Sequence, residues 1–188
     1  YSLDNSNAAV QALAAGTSLS DTLTFASADG TVQTVTITIA GANDVSVISG
    51  TTTGTMTEDD GTTPTGTITI SDVDTGETPS FADVASTAGS NGYGAFTLSS
   101  GTWSYAVNSN AIQSLDAEDS VTDSITYTAS DSNTQTITVT ISGANDAPVF
   151  AGGSTATAST AEGTTTVATY AATDAVSYTH LTLPTTTP

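Results

Sequence analysis

The 188-residue chain contains no lysine, no arginine and no cysteine. Its 19 aspartate and glutamate residues give a formal net charge of -19, and one histidine is the only basic side chain in the sequence. Because binding to phosphate groups requires cations on the protein, this charge excludes nucleic acid as a partner and argues against docking on anionic lipid. No apolar run approaches the roughly 20 residues of a membrane-spanning helix, so we expect no membrane insertion.

The residue types that nucleophilic enzymes use are missing as well. The histidine, His180, lies in a C-terminal segment that we set aside below, and without cysteine, lysine or arginine a serine nucleophile has no usual base or oxyanion partner. The number of carboxylates leaves open a pair that hydrolyses glycosides, but nothing in the sequence predicts an active-site cleft around such a pair. We therefore expect that the chain is not an enzyme.

An internal repeat organises the chain. The sequence GAND at residues 41–44 returns at residues 143–146, 102 positions later, and residues 13–44 align with residues 115–146 without a gap and with about half of the positions identical. A period of this length is that of a whole domain in a tandem array. We predict that residues 1–48 are the C-terminal part of a repeat (unit one), residues 49–149 a complete repeat (unit two) and residues 150–175 the start of another (unit three).

The last residues have no counterpart in the repeat. Residues 176–185 read VSYTHLTLPT, which resembles the translation, in one frame, of a transposon-type sequencing adapter. We interpret residues 176–188 as adapter-derived and exclude them, with His180, from functional reasoning.

Apolar and small polar residues alternate along most of unit two, which is the pattern of strands with one buried face. The clearest alternations are at residues 67–70, 96–98, 103–107, 125–127 and 137–141. Ser100-Gly101 predicts a tight hairpin, and residues 110–115 predict a short helical turn with Asn108 or Asn110 as its cap. Six or seven short strands in about 100 residues predict an all-β antiparallel sandwich with Greek-key connections, and Trp103 is expected to anchor its core.

Several of these residues carry a family resemblance. The run Gly101-Thr102-Trp103-Ser104-Tyr105, then Leu115, and the closing GANDAPV at residues 143–149 resemble the VCBS repeats of long bacterial surface and RTX-type adhesins. Residues 161–164 and 172–174 are similar to the start of a cadherin-like repeat. The resemblance implies tandem immunoglobulin-like or cadherin-like sandwiches, an extracellular or bacterial cell-surface location, and a stalk or adhesive role in adhesion or biofilm formation.

Carboxylates cluster near the expected ends of unit two, and clustered oxygen ligands are what Ca²⁺ requires. The clusters resemble the N-terminal acid, the Asp-x-Asp loop, the Leu-Asp-x-Glu motif, the Ala-x-Asp ligand and the Asn-Asp linker of cadherins. The resemblance implies that Ca²⁺ binds at the following residues: Glu58, Asp60, Asp72, Asp74, Asp116, Glu118, Asp131, Asn145 and Asp146.

The cadherin pattern places these ligands at junctions between neighbouring repeats, which are the expected partners. At the first junction, between units one and two, Asp72, Asp74 and Asp131 would meet Asn43 and Asp44. At the second junction, between units two and three, the ligands would be Asp116, Glu118, Asn145, Asp146, one of Glu58 or Asp60, and Asp174. The sequence departs from the pattern in two ways: residues 13–16 read LAAG instead of Leu-Asp-x-Glu, and Gly41 and Gly143 replace the first linker aspartate.

Two alternatives remain open at this point. Aspartate and asparagine often close turns by bonding their own backbone, so each cluster could be a turn on a plain acidic spacer. The chain could also be a carbohydrate-binding or other ligand-binding module, or an accessory domain of a secreted enzyme, because Tyr93 and Tyr170 could stack on a sugar. In that case a surface glycan or protein would be its target, although packing of both tyrosines at strand ends is the interpretation we favour.

Overall fold

The computed structural model describes residues 1–150, 159, 161–163 and 172–174. Two short helices are present there, α1 (Ala8–Gln11) and α2 (Ser109–Ile112). The strands are β1 (Ser18–Ala26), β2 (Val32–Ala40), β3 (Val47–Gly50), β4 (Thr53–Thr57), β5 (Thr65–Ser71), β6 (Val84–Ala88), β7 (Gly94–Ser99), β8 (Thr102–Val107), β9 (Ser120–Thr128), β10 (Thr134–Ser142), β11 (Val149–Phe150) and β12 (Ala172–Thr173). The segment 176–188, which we interpret as adapter-derived, lies outside the described residues.

Strands β3 to β10 form a sandwich of two sheets. One sheet has five strands in the order β3-β5-β8-β7-β6, and the other has three in the order β4-β10-β9, with β4 parallel to β10. Strands β6, β7 and β8 follow one another as hairpins while β5 lies beside β8, which is the Greek-key arrangement. The prediction of an all-β, immunoglobulin-like Greek-key sandwich is confirmed. The expectation that the sandwich is antiparallel is wrong for β4 and β10, which pair in parallel.

The core lies between these two sheets and is built around Trp103. Its side chain is fully buried, and its indole N–H donates to the Thr51 carbonyl oxygen at 2.7 Å. A Cβ atom at Gly54 or at Gly66 would lie only 2.8–3.0 Å from the ring, so glycine at these positions leaves room for the indole. Trp103 is thus the core anchor that the sequence predicted. The other buried apolar side chains around it are Met56, Ile68, Phe96, Leu98, Tyr105, Ile112, Tyr127, Ile137, Val139 and Ile141.

A buried carboxylate, Asp123 on β9, also lies in this core. One of its oxygens accepts the backbone N–H groups of Asn91 and Ser124 at 2.9 and 3.0 Å, and the other accepts the Gly94 N–H and the Tyr105 hydroxyl, both at 3.1 Å. Burial, followed by the charge of Asp123, raises the pKa of Tyr105. These four hydrogen bonds satisfy the carboxylate and fix the loop between β6 and β7 against β9.

The local predictions are partly confirmed. Ser100 and Gly101 form the expected two-residue hairpin turn, with φ of 48° and 78°. The predicted helical turn at residues 110–115 is wrong in its limits, because α2 ends at Ile112, whose buried side chain fixes the turn in the core. Asn108 occupies the cap position but its side chain makes no capping hydrogen bond. Residues 47–142 contain eight strands instead of six or seven.

Strands β1 and β2 of unit one form a separate antiparallel hairpin, paired from Ser18 with Ala40 to Ala26 with Val32. The same pairing, moved by 102 positions, joins β9 to β10. Both hairpins therefore derive from the same repeated sequence. Among the described residues, no helix is long and apolar enough to cross a membrane.

Candidate metal centre

The loop after β5 brings three carboxylates together at the end of the sandwich that faces unit one. One carboxylate oxygen from each of Asp72, Asp74 and Glu77 lies within 4.8 Å of the other two. The turn is held by the Asp74 N–H, which donates to Asp72 Oδ1 at 2.9 Å, and by the Glu77 N–H, which donates to the Asp74 carbonyl oxygen at 3.2 Å. Local backbone hydrogen bonding thus positions all three side chains.

Asp74 is the most unusual of the three because its side chain is only 3% exposed. Its Oδ2 accepts the Asp44 N–H at 2.8 Å, which ties the linker between the units to unit two. Its Oδ1 is buried and has no hydrogen-bond partner among the residues that the structure describes. An unpaired buried carboxylate oxygen next to two other carboxylates is costly unless a cation neutralises it, and the whole sequence contains no lysine or arginine to do so.

The other side chains predicted for the first junction border the same place. Asp72, Glu77 and Asp131 line an open cavity of about 360 Å³ together with Asn43 and Asp44. Asp131 accepts the Ser46 hydroxyl and, at 3.0 Å, the Asn133 N–H, and these hydrogen bonds lower its pKa. The oxygen-only set of acidic ligands fits a hard cation such as Ca²⁺.

This loop also touches unit one directly. The Thr75 N–H donates to the carbonyl oxygen of Ala12 at 3.0 Å. The two residues that correspond to Asp116 and Glu118 in unit one are Ala14 and Gly16, so unit one contributes no carboxylate at those positions. At the first junction, therefore, the acids come from unit two and the linker, and a backbone hydrogen bond links unit two to unit one.

A second group of predicted ligands lies at the opposite end of unit two. Glu58 is 2% exposed, and its carboxylate accepts the Gln113 side-chain amide at 3.0 Å and the Ala144 N–H at 3.3 Å. Burial raises the pKa of Glu58, and the nearby charges of Asp146 and Asp59 raise it further, against the lowering effect of the Ala144 hydrogen bond. The Oδ2 atom of Asp146 is buried and unpaired within the described part of the chain. The charges of Glu58 and Asp146 therefore influence each other at this end of unit two, and their role as calcium ligands stays a prediction.

The remaining predicted ligands have other surroundings. Asp60 is exposed and closes its own turn, because its carboxylate accepts the N–H groups of Thr57 and Thr62 at 3.1 and 2.7 Å. Glu118 is exposed, and the Asn145 amide donates to the Asp146 carbonyl oxygen at 2.9 Å. Asp116 accepts the Ala117 N–H at 2.6 Å. Of the alternatives at this end, the geometry favours Glu58 over Asp60, and the full ligand set stays a prediction.

The structure explains why glycine replaces the first linker aspartate at both junctions. A Cβ atom at Gly143 would overlap the carbonyl oxygen of Asp116, and a Cβ atom at Gly41 would overlap that of Ala14. The Gly143 N–H and the Gly41 N–H each donate at 2.9 Å to equivalent carbonyl oxygens, those of Asp119 and Thr17. Close backbone approach therefore excludes a side chain at these positions.

Glu77 was missed by the sequence reasoning. The sequence contained a signal, because Glu77 follows Asp74 by three residues and a glycine, which tolerates a positive φ, lies between them. In the structure Gly76 has a φ of 93°. Burial, followed by the charges of Asp72, Asp74 and Asp131, raises the pKa of Glu77.

These raised pKa values predict a pH effect on the metal-free protein. Because folded Glu58 and Glu77 bind protons more readily than the unfolded chain, their contribution to stability is fully present below their ordinary pKa of 4.5 and is lost as the pH rises through the raised values. In a chelator, we expect the melting temperature to rise as the pH falls from neutral toward that ordinary pKa. Thermal unfolding followed by circular dichroism checks this.

Two variants test whether Glu58 and Glu77 cause the rise in melting temperature on acidification. Glu58→Gln with Glu77→Gln should make the melting temperature higher at neutral pH and remove most of its rise on acidification. Asp29→Asn should preserve the rise, because hydrogen bonds from Ser27 and Thr31 lower the pKa of Asp29 to about 2 and keep it ionised. A melting temperature that falls over this interval in all three proteins would contradict the assignment.

The fold and the acid-rich ends together define the chain as an immunoglobulin-like β-sandwich protein of the repeat type. A family model described as a bacterial cadherin-like domain matches residues 43–143, and the chain belongs to that family. No curated protein matches the chain in sequence. The predicted cadherin-like repeat is therefore confirmed. Bacterial cadherin-like domains are structural, adhesion-type repeats that occur in extracellular or surface proteins, and they are typically non-catalytic.

Proposed function

We propose that the chain is a structural part of a large secreted or cell-surface bacterial adhesin of the VCBS and RTX type. Ca²⁺ bound at the ends of the domains stiffens a stalk of repeats, and the stalk serves in adhesion or biofilm formation. Its partners are the neighbouring repeats, and it has no catalytic role. Family membership and the resemblance of the closing sequence at residues 143–149 support the structural part of this proposal.

The observation that carries the calcium proposal is the buried, unpaired Oδ1 atom of Asp74 beside Asp72 and Glu77. A single Asp-x-Asp turn would expose its carboxylates to water, whereas here one carboxylate is withdrawn from solvent while two others lie next to it. Asp72, Asp74 and Glu77 would hold the ion, with Asp131 next to them. Ca²⁺ supplies positive charge in a site whose ligands are all oxygen.

The position of Asp74 explains how a bound ion would stiffen the junction between the repeats. Its second oxygen already binds the linker N–H of Asp44, so an ion that fixes Asp74 also fixes the end of the linker. At a free Ca²⁺ concentration between one and ten times Kd, one site adds about 0.4–1.4 kcal/mol to the stability of the folded state. Extracellular modules bind Ca²⁺ with Kd on the order of 10⁻⁴–10⁻³ M, which matches millimolar extracellular calcium.

The test is a calcium titration of the chain followed by calorimetry and by the melting temperature. We expect millimolar Ca²⁺ to raise the melting temperature of unit two by about 2–10 °C, because about 1 kcal/mol shifts a domain of this size by about 4–8 °C. Asp74→Asn keeps the shape of the side chain but removes its charge, and it should remove most of this rise. In a chelator the same variant should melt at the same temperature as the native chain or higher, because a buried unpaired charge is gone.

Two controls separate a site from general charge screening. Asp29→Asn removes one negative charge in the hairpin of unit one, far along the chain from the loop after β5, and should leave the calcium response unchanged. Mg²⁺ at equal ionic strength should give a smaller rise, since it resists dehydration. If Ca²⁺ and Mg²⁺ raise the melting temperature equally, or if Asp74→Asn shows the full rise with Ca²⁺, the proposed calcium site is wrong. If small-angle scattering shows the same radius of gyration with calcium and with chelator, the stiffening role fails while binding stands.

The ligand-binding alternative receives less support. Tyr93 is half-buried and packs against the core, and its carbonyl oxygen accepts the Asn108 N–H at 2.7 Å, so it is held at the end of the β7–β8 hairpin. Tyr170 lies outside the described residues. Recognition of a glycan or protein target therefore remains the second candidate function, and it predicts glycan binding that survives chelation.

A further inference from the structure

The loop between β6 and β7 contains Asn91-Gly92, the one Asn-Gly pair of the sequence. Glycine has no side chain to obstruct attack by its own backbone nitrogen on the side-chain amide of the preceding asparagine, and it is free to adopt the conformations that the attack needs. Asn91 is exposed, and Gly92 has a φ of 75°. Apart from its two chain neighbours, no atom of the described residues lies within 4 Å of the place that a Cβ of Gly92 would take. The pair is therefore accessible to water and free of steric shielding.

The side-chain amide of Asn91 has a structural role, because it covers part of the edge of β9. Its Nδ2 atom donates to the Thr122 carbonyl oxygen at 2.7 Å, and the Ser90 N–H donates to the Ser124 carbonyl oxygen at 2.8 Å. Among the described residues, β9 is the last strand of its sheet. These two hydrogen bonds thus cover backbone groups that would otherwise be open for pairing with another strand.

The same loop is held against β9 by Asp123. Its carboxylate accepts the Asn91 N–H at 2.9 Å and the Gly94 N–H at 3.1 Å, on either side of Gly92. The Gly92 N–H itself donates to the Gly89 carbonyl oxygen at 3.2 Å. Before the backbone nitrogen of Gly92 can react, it must give up this hydrogen bond, and the Asn91 side chain must leave β9. In the folded chain the loop therefore has to open first, and Asp123 opposes that opening.

We propose that Asn91 is a site of spontaneous deamidation, and that Asp123 sets the rate by holding the loop closed. The backbone nitrogen of Gly92 loses its proton and bonds to the side-chain carbonyl carbon of Asn91, and the side-chain nitrogen takes up a proton and leaves as ammonia. Water then opens the resulting five-membered succinimide at either of its two carbonyl carbons, which gives aspartate or isoaspartate at position 91. One water is consumed and one ammonia is released, without an oxidant or an enzyme. This inference is independent of calcium binding.

The product changes the edge of β9. Aspartate or isoaspartate at position 91 has no N–H group on its side chain, so the Thr122 carbonyl oxygen loses its donor. The new carboxylate also adds a negative charge to a loop that is bound to the carboxylate of Asp123. Isoaspartate further inserts one backbone carbon before Gly92, which moves the N–H groups that Asp123 accepts. Deamidation therefore releases the loop and opens part of the edge of β9.

The test follows the conversion in the full chain at mildly alkaline pH. The chain is incubated folded and, in parallel, unfolded in denaturant. Peptides from a pepsin digest are then analysed by mass spectrometry, because a chain without lysine or arginine has no site for trypsin. We expect Asn91 to convert before any other asparagine in both samples. In the folded chain the conversion should be about 10- to 1,000-fold slower than in the unfolded chain, since it requires local opening.

Two variants test the role of Asp123. In folded Asp123→Ala the rate should rise to within about threefold of the rate in the unfolded chain, because the loop is no longer held. Asp83→Ala, which removes an exposed carboxylate that accepts the Ser100 N–H, should keep the native rate. If Asp123→Ala does not fold, the native chain still decides. There the protection of the Asn91 N–H from hydrogen exchange should match the slowing of the conversion within about threefold.

Three outcomes would overturn the proposal. Equal rates in the folded and unfolded native chains, or a native rate in folded Asp123→Ala, would show that the loop does not restrain the reaction. An Asn91 amide that stays intact in the folded chain for 1,000 times as long as the unfolded chain needs, on the order of the upper limit above, would show that it is not a modification site.

The consequence for the loop is tested with Asn91→Asp, which reproduces one of the products. Hydrogen exchange of residues 89–94 should be at least about fivefold faster than in the native chain. Asn110→Asp adds the same charge at an exposed position of α2 and should leave the exchange of the loop unchanged. If residues 89–94 exchange as slowly in Asn91→Asp as in the native chain, deamidation does not release the loop and this part of the proposal is wrong.

Discussion

Replacing Trp103 with alanine is expected to lower the free energy of unfolding of unit two by about 3–5 kcal/mol. The side chain is fully buried at the centre of the sandwich, and Gly54 on β4 and Gly66 on β5 leave room for its ring because they have no side chain. Alanine would leave a cavity that these backbones cannot fill, and the Thr51 carbonyl oxygen would lose its indole donor. Since domains are typically stable by about 5–15 kcal/mol, much of the stability of unit two would be lost.

Denaturant unfolding followed by far-ultraviolet circular dichroism measures this loss, because Trp103 is the only tryptophan and its fluorescence disappears with the variant. Val73→Ala is a suitable control, since Val73 is 52% exposed, and its effect should stay below about 0.5 kcal/mol. If Trp103→Ala lowers the stability by no more than the control does, Trp103 is not the core anchor.

Asp123→Ala is expected to destabilise unit two by about 2–6 kcal/mol. It removes an acceptor from the Gly94 N–H and from the Tyr105 hydroxyl, two donors that are themselves buried, and each unsatisfied group costs about 1–3 kcal/mol. The loop between β6 and β7 would also lose its attachment to β9. Hydrogen exchange should therefore show faster opening of residues 89–94 than of β10.

Tyr105→Phe provides the matched comparison, because it removes one of the donors that Asp123 satisfies. The combined variant should cost less than the sum of the two single variants, since Asp123 and Tyr105 share one hydrogen bond. Asp83→Ala, which removes an exposed carboxylate that accepts the Ser100 N–H, is the control. Additive losses for Asp123 and Tyr105 would mean that their contact contributes little.

The sequence revealed the longer strands because their alternation is plain. Strands β5, β7, β8, β9 and β10 alternate between apolar and polar side chains, with Asp123 as the one carboxylate on the buried face of β9, and the structure has them as strands. It did not reveal β3, β4 and β6, which are four or five residues long and carry few apolar side chains. Their pairing is decided by neighbouring strands and not by their own pattern.

The candidate sites show the same division between local and tertiary information. The acidic clusters could be found from the sequence, but Asp60 and Asp74 look alike there, and only tertiary packing buries one and leaves the other in an exposed turn. Asp123 was not singled out, although an aspartate conserved in position between the two copies, within an apolar face, was a usable signal. The reason for glycine at positions 41 and 143 could not be predicted, because it lies in close backbone contacts with segments distant in the sequence.

The parallel pairing of β4 with β10 has a mechanical consequence for a domain held at both ends. Residues 53–57 lie beside residues 138–142, so the first strand of the small sheet is bonded directly to the last strand of unit two. A pull that separates the two linkers draws these strands in opposite directions along their length. The load then falls on all the hydrogen bonds of the pair at once, in shear, instead of opening them one after another. Rupture would be governed by the rate of unfolding of this strand pair.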